Sequence, residues 1–175
     1  MQKSVECSFS INGNGPPLFL VHGIGATRDA WRFIIPSLKN NFTVVSYDLR
    51  GHGKSPKTKN EFNLDDLVED LESLRNKLNF PKIYIAGHSL GGMIAPAYTL
   101  KYQKNVFAIG LLSTAAGRSE NEKLKVLNVI KLMEQDGISK IVNALVSRWF
   151  TDGFIKKYPE IIEKRIQQLV DTDPE

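Results

Sequence analysis

K-I-Y-I-A at 82–86 runs directly into G-H-S-L-G at 87–91, and the chain continues as G-M-I-A-P-A-Y-T-L at 92–100. An apolar, β-type segment becomes an apolar helical one within a few residues, and Ser89 stands at the apex. A G-x-S-x-G turn of this kind strains its middle residue and lifts that side chain clear of the sheet. Gly87 and Gly91 leave space where side chains would collide, and His88 and Gly92 complete the surroundings. A plain glycine-rich strand-to-helix turn has the same spelling, so the flanking sequence decides between the two.

Working outward, L-F-L-V at 18–21 reads as a short buried strand that ends in H-G-I-G at 22–25. A weak alternation over 4–11 suggests an edge strand, and N-G-N-G-P-P at 12–17 is turn chemistry. Residues 28–38 read as a helix with Ala30, Trp31, Ile34, Ile35 and Leu38 inward. F-T-V-V-S-Y-D at 42–48 is a further strand, followed by the loop L-R-G-H-G-K-S-P at 49–56. Over 64–78, Leu64, Leu67, Val68, Leu71, Leu74 and Leu78 fall on one helical face. Asn63 can cap that helix. Asp65, Asp66, Glu69 and Asp70 sit toward its positive end, with Arg75 and Lys77 toward its negative end. A strand at 82–87, a helix at 90–103 and a fifth strand at 106–113 follow.

Strands that alternate with helices and are nearly all apolar predict an α/β fold: a mostly parallel sheet with helices on both faces. After residue 117 the alternation stops. Segments 119–135, 138–150 and 159–170 read as three helices. Ile138, Ile141, Val142, Leu145, Val146 and Trp149 form one apolar stripe, and Ile162, Ile166, Leu169 and Val170 another. The expected organisation is therefore a core over 1–117 and a helical lid, or a plain helical extension, over 118–175.

The chain has 175 residues, 42% apolar and 24% charged, which suits one globular domain. The net charge of +4 comes from scattered Lys and Arg, a solvated surface rather than a nucleic-acid patch. No uninterrupted apolar run is long enough to span a bilayer, and M-Q-K-S-V-E-C-S-F-S lacks a signal core, so a cytoplasmic protein is expected. The single cysteine, Cys7, has no partner for an internal disulfide or a metal site and should pack in the first strand as a small apolar residue. G-H-G-K-S at 51–55 ends like a phosphate loop, but Asp48 occupies the position of its first glycine. Dinucleotide patterns starting at Gly23 or Gly13 fail at Arg28 and Leu18.

A serine hydroxyl needs a base, an orienting acid and donors for the developing oxyanion. The N–H of Leu90, next to Ser89, is one expected donor. The N–H of Ile24 in H-G-I-G is the second, with Gly23 and Gly25 letting the backbone turn toward the site.

Taken together, L-F-L-V-H-G-I-G, S-Y-D-L-R-G-H-G-K-S and I-A-G-H-S-L-G-G-M-I-A resemble the α/β-hydrolase superfamily over residues 4 to about 115. H-S-L-G-G-M-I-A at 88–95, S-R-W-F-T-D-G-F at 147–154 and the stretch from Pro159 to D-T-D-P-E at 171–175 look most like 3-oxoadipate enol-lactonases and related esterases. The resemblance implies attack by Ser89 on an ester or lactone through an acyl-enzyme, with no metal or organic cofactor. Ser in place of Asp at position 89 argues against the dehalogenases and epoxide hydrolases of the superfamily. Arg148 and Trp149 would hold a carboxylate and an apolar ring of the substrate; alternatively they are a solvated charge and helical core.

The same resemblance implies an acid and then a histidine after two further strands, and neither follows here. His22, His52 and His88 all precede Ser89, and each falls in a motif where it is not the base; His22 orders the oxyanion loop. Asp136, Asp152, Asp171 and Asp173 all lie in helical sequence. The chain therefore reads as a hydrolase lacking its last two strands and final helix: a fragment, or a split or decayed product. The alternative function is a non-catalytic or partner-dependent module that binds a small acid or ester. An open fifth strand also predicts self-association through the sheet edge. Size-exclusion chromatography should show oligomers or poor solubility, and a well-behaved monomer would count against it.

Overall fold

The computed structural model describes residues 4–58 and 61–170. Phe9–Asn12 (β1), Pro17–Val21 (β2), Thr43–Tyr47 (β3), Ile83–His88 (β4) and Val106–Leu112 (β5) pair in the order β1-β3-β2-β4-β5. β1 runs antiparallel to β3 and every other pairing is parallel. Side chains alternate across a strand, so β2 feeds two cores at once. Phe19 and Val21 join Val45, Tyr47, Ile83 and Ile85 on one face; Leu18, Leu20 and Val44 pack with Trp31 on the other. The first face is covered by α2 (Leu64–Lys77) and α3 (Leu90–Lys101), through Leu67, Leu71, Ile94 and Tyr98.

Two elements depart from the sequence reading. Residues 28–38 do not form one helix. A 3₁₀ turn over Arg28–Trp31 is followed by a single helical turn, α1 (Ile35–Leu38). Pro36 has no N–H to donate back along a continuous helix, but it is tolerated in the opening turn of a new one. Trp31, Ile35 and Leu38 face the core as expected, whereas Ala30 and Ile34 are exposed. The first strand is also shorter than 4–11, because its leading residues find side-chain partners instead. The Val5 N–H donates to Asp70 Oδ1 at 2.8 Å and the Ser8 N–H to Ser55 Oγ at 2.9 Å. Cys7 therefore lies before β1 rather than in it, packed in the apolar core, where burial pushes its thiol up to about 12.

α2 carries the expected cap. The Asn63 side chain accepts from the Asp65 and Asp66 N–H groups, and the Asp66 carboxylate takes the Asn63 N–H in return. Asp66 and Asp70 are nevertheless buried rather than simply lying along the dipole.

The chain divides into two compact units, before and after the Ala115–Ala116 bond. The second is helical throughout: α4 (Glu120–Asp136), α5 (Ile138–Trp149), α6 (Asp152–Lys157) and α7 (Pro159–Val170). The sequence pattern predicts three helices here, and α6 is the addition. It starts where Thr151 accepts the Phe154 N–H. Val142, Val146, Ile162 and Leu169 are buried within this unit; the side chains of Ile138 and Ile141 lie outside those described. In the sheet unit, β5 is the terminal strand, and Phe107, Leu111 and Leu112 on it are exposed. No helix among the described residues is long and apolar enough to cross a membrane.

Candidate active site

β4 ends at His88 and α3 begins at Leu90, so one residue makes the whole turn. Ser89 has φ 52° and ψ −113°. A side chain in that region costs about 1–3 kcal/mol and persists only where the surroundings enforce it. Here they do: the Ser89 N–H donates to Leu112 O and the Gly92 N–H to Ser89 O, both at 3.0 Å. The first turn of α3 also sits directly on the end of β2. A Cβ at Gly91 would run into the Val21 and His22 carbonyls, and one at Gly87 into Gly91. At Gly92 a Cβ would strike the Thr114 side chain.

The loop after β2 comes to the same place. A Cβ on Gly23 would stand 3.0 Å from Ser89 Cβ and 3.2 Å from His88 Nδ1. The H-G-I-G segment and the G-x-S-x-G turn, more than sixty residues apart in sequence, are therefore in van der Waals contact. Gly25, at φ 62°, completes the bend. Ile24 is exposed, and its N–H has no hydrogen-bond partner among the described residues. Leu90 opens α3, where helix N–H groups lack intrahelical acceptors. No described side chain or backbone group hydrogen-bonds the Ser89 hydroxyl.

Two histidines bind this loop to the one after β3. His22 Nε2 accepts the Leu49 N–H at 3.0 Å, while its Nδ1 faces Gly23 O at 2.8 Å. His52 Nε2 accepts the Gly25 N–H at 3.0 Å, while its Nδ1 faces Arg50 O at 3.0 Å. An N–H can only donate and a carbonyl can only accept, so both rings are neutral with the proton on Nδ1. The rings lie 5.3 Å apart. Asp48 adds a third tie by accepting the Arg28 N–H at 2.8 Å and the Lys54 N–H at 3.1 Å. Beneath the second loop, Arg50 and Asp70 form a fully buried ion pair at 2.6 Å. Nothing in the composition marks these ties. Asp70, however, falls on the apolar face of α2 beside Leu67, Leu71 and Leu74, and an acid placed so calls for a buried partner.

A family model for the alpha/beta hydrolase fold matches residues 16–137. The chain belongs to the α/β-hydrolase fold family. The 3-oxoadipate enol-lactonase 1 of Acinetobacter baylyi is 30% identical over 167 residues, covering 94% of this chain and 62% of that protein. A solved thermophilic esterase from Thermogutta terrifontis, with malate bound, superposes with a TM-score of 0.88 at 30% identity over 98% of this chain and 64% of its own. The enol-lactonase from Burkholderia xenovorans LB400 gives 0.88 at 25% identity, over 97% and 66%. The chain thus spans 62 to 66% of the length of these three relatives.

Within this α/β-hydrolase, Ser89, Ile24, Leu90, His22, Gly23, Gly25, Gly87, His88, Gly91 and Gly92 all belong to the sheet unit, whereas Arg148 and Trp149 belong to the helical unit. Arg148 is exposed, and Trp149 is partly so, at the end of α5. The Trp149 ring carries a different cation: the Arg165 guanidinium of α7 lies 4.8 Å from its centroid, and burial lowers the pKa of Arg165. Among the expected acids, Asp152 is exposed in the first turn of α6. The Asp136 side chain, Asp171 and Asp173 lie outside those described. No cluster of His, Cys, Asp or Glu among the described residues could hold a metal ion.

Proposed function

We propose that the Ser89 hydroxyl attacks the carbonyl carbon of an ester or lactone while the Ile24 and Leu90 N–H groups receive the oxyanion. Collapse of the adduct breaks the carbonyl C–O bond and leaves the acyl group on Ser89. The serine proton passes by way of a base to the leaving oxygen, which departs as the alcohol of an ester or stays tethered as the ring-opened hydroxyl of a lactone. Water then releases the acyl group as the acid. The contact between Gly23 and Ser89 carries this reading. A loop with an unpartnered N–H lies against the strained serine, which supports donors set before substrate arrives. Each preset donor contributes about 2.7–4 kcal/mol to the transition state in hydrolases of this type. The two enol-lactonase likenesses support a small acidic lactone as substrate, and the malate in the Thermogutta terrifontis esterase is also an acid.

A second reading has its own observation. His22 and His52 each spend both ring nitrogens on backbone groups, so neither can take the Ser89 proton without breaking the loop. The base must come from elsewhere, and until it does the site binds rather than turns over. That is the non-catalytic or partner-dependent module.

The deciding experiment pairs the intact mass of the natively expressed protein with its turnover of an enol-lactone and of p-nitrophenyl esters. Turnover abolished in both Ser89→Ala and Ser89→Gly supports the hydrolase. Ser89→Gly should in addition be more stable by about 1–2 kcal/mol in urea, because glycine adopts the strained φ freely. Turnover that survives both substitutions would sink the Ser89 mechanism, and saturable binding without turnover would establish the second reading.

A further inference from the structure

We infer that His52 is a positioning residue that aims the oxyanion donor of Ile24 through its hydrogen bond to Gly25. The inference rests on the hydrolase reading of Ser89 above. The segment Gly23–Gly25 has to hold Ile24 N–H toward the serine, yet its side chains give it little anchorage: two residues are glycine, and Ile24 itself is exposed. The Ala26 N–H closes the turn on Gly23 O at 3.2 Å, and each end is tied to the loop after β3. At the leading end, His22 is buried and reaches across to Leu49. At the trailing end, the Gly25 N–H is taken by His52 Nε2 at 3.0 Å.

The two contacts are reciprocal. The histidine of each loop accepts an N–H from the other loop and turns its second nitrogen to a carbonyl of its own loop. Nδ1–H to Arg50 O fixes the tautomer that leaves Nε2 free to accept. Gly25 sits at φ 62°, where the residue before it is steered by the peptide plane that His52 holds. Losing the acceptor would let that plane rotate and turn the adjacent Ile24 N–H off Ser89. Misplacement of a catalytic donor by a fraction of an ångström is enough to lose rate.

The test separates an acceptor from a merely space-filling ring. Leucine at 52 fills volume without accepting. Glutamine places Oε1 about where Nε2 stands and accepts. In the 15N-labelled 175-residue chain, the Gly25 amide of His52→Leu should lose its hydrogen-exchange protection and the Ile24 amide should shift, while the β2 and β4 amides keep theirs. His52→Gln should restore both. In the natively expressed protein, kcat on a p-nitrophenyl ester should fall about tenfold in His52→Leu with KM nearly unchanged. That is less than the ~10²–10³-fold lost when a donor is deleted outright. His52→Gln should recover it. Unchanged protection of Gly25 in His52→Leu, or equal kcat in His52→Leu and wild type, overturns the inference. An inactive wild type instead overturns the hydrolase reading, and the amide measurements then decide alone whether His52 holds the loop.

Discussion

Replacing Asp70 by asparagine is expected to cost the sheet unit about 3–5 kcal/mol, because it strands a buried guanidinium. Arg50 Nε and Nη2 reach the two Asp70 oxygens at 2.6 and 2.7 Å, and both side chains are completely shielded from water. An asparagine side chain would keep the shape while removing the charge, and would turn its NH2 toward one of the guanidinium donors. Oδ1 of Asp70 also accepts the Val5 N–H, so the residues ahead of β1 would loosen as well. Against a total stability of about 5–15 kcal/mol, a loss of this size leaves little margin. Urea unfolding followed by circular dichroism measures it. The control is Glu6→Gln at the exposed Lys77–Glu6 pair, expected to leave the unfolding midpoint nearly unchanged because solvent screens that pair. Removing both charges, as in Arg50→Met with Asp70→Leu, should recover part of the loss, since no charge is then left unpaired. A midpoint for Asp70→Asn indistinguishable from wild type would mean that water reaches Arg50 after all.

The elements that position Ser89 are legible because each writes a local pattern. β2 and β4 are apolar runs that end at glycine-containing turns, α2 carries its leucine stripe and its Asn63 cap, and the turn at 87–91 is legible from its glycines together with the strand and helix patterns that flank it. Segment 28–38 misleads because its apolar spacing is helical although Pro36 interrupts the hydrogen-bond ladder. The loop ties are not legible. His52 and Gly25 are 27 residues apart, and whether a histidine in R-G-H-G meets a backbone amide depends on how two loops cross at the end of a sheet. Arg165 escapes for a similar reason: its partner Trp149 lies on another helix, and no periodicity within α7 announces a ring across from it. Long-range polar contacts depend on topology, whereas hydrophobic period and turn chemistry do not.

The 175-residue chain by itself is expected to hydrolyse activated esters at no more than about 10³–10⁴ times the rate in water, the remnant of catalysis that oxyanion donors and binding provide without a base. In serine hydrolases, loss of the base alone removes roughly six orders of magnitude in kcat. None of the three histidines is expected to serve as that base. His22 and His52 accept N–H groups at Nε2 and donate from Nδ1, so protonating either would set two hydrogens against each other in the loop proposed to hold the oxyanion donor. His88 precedes Ser89 at the end of β4, with its Nδ1 next to Gly23, and no hydrogen bond joins it to the Ser89 hydroxyl. Single-turnover release of p-nitrophenol from the purified chain, set beside Ser89→Ala, measures the rate. Residual activity that is the same in both proteins is the expected result. Multiple turnovers lost on Ser89→Ala would mean that a base exists within these residues, and His88→Gln would then show whether it is His88. Imidazole added to the wild-type chain offers a complementary check: a preset oxyanion site should let an external base raise the rate of Ser89 acylation, and no such rise should appear in Ser89→Ala.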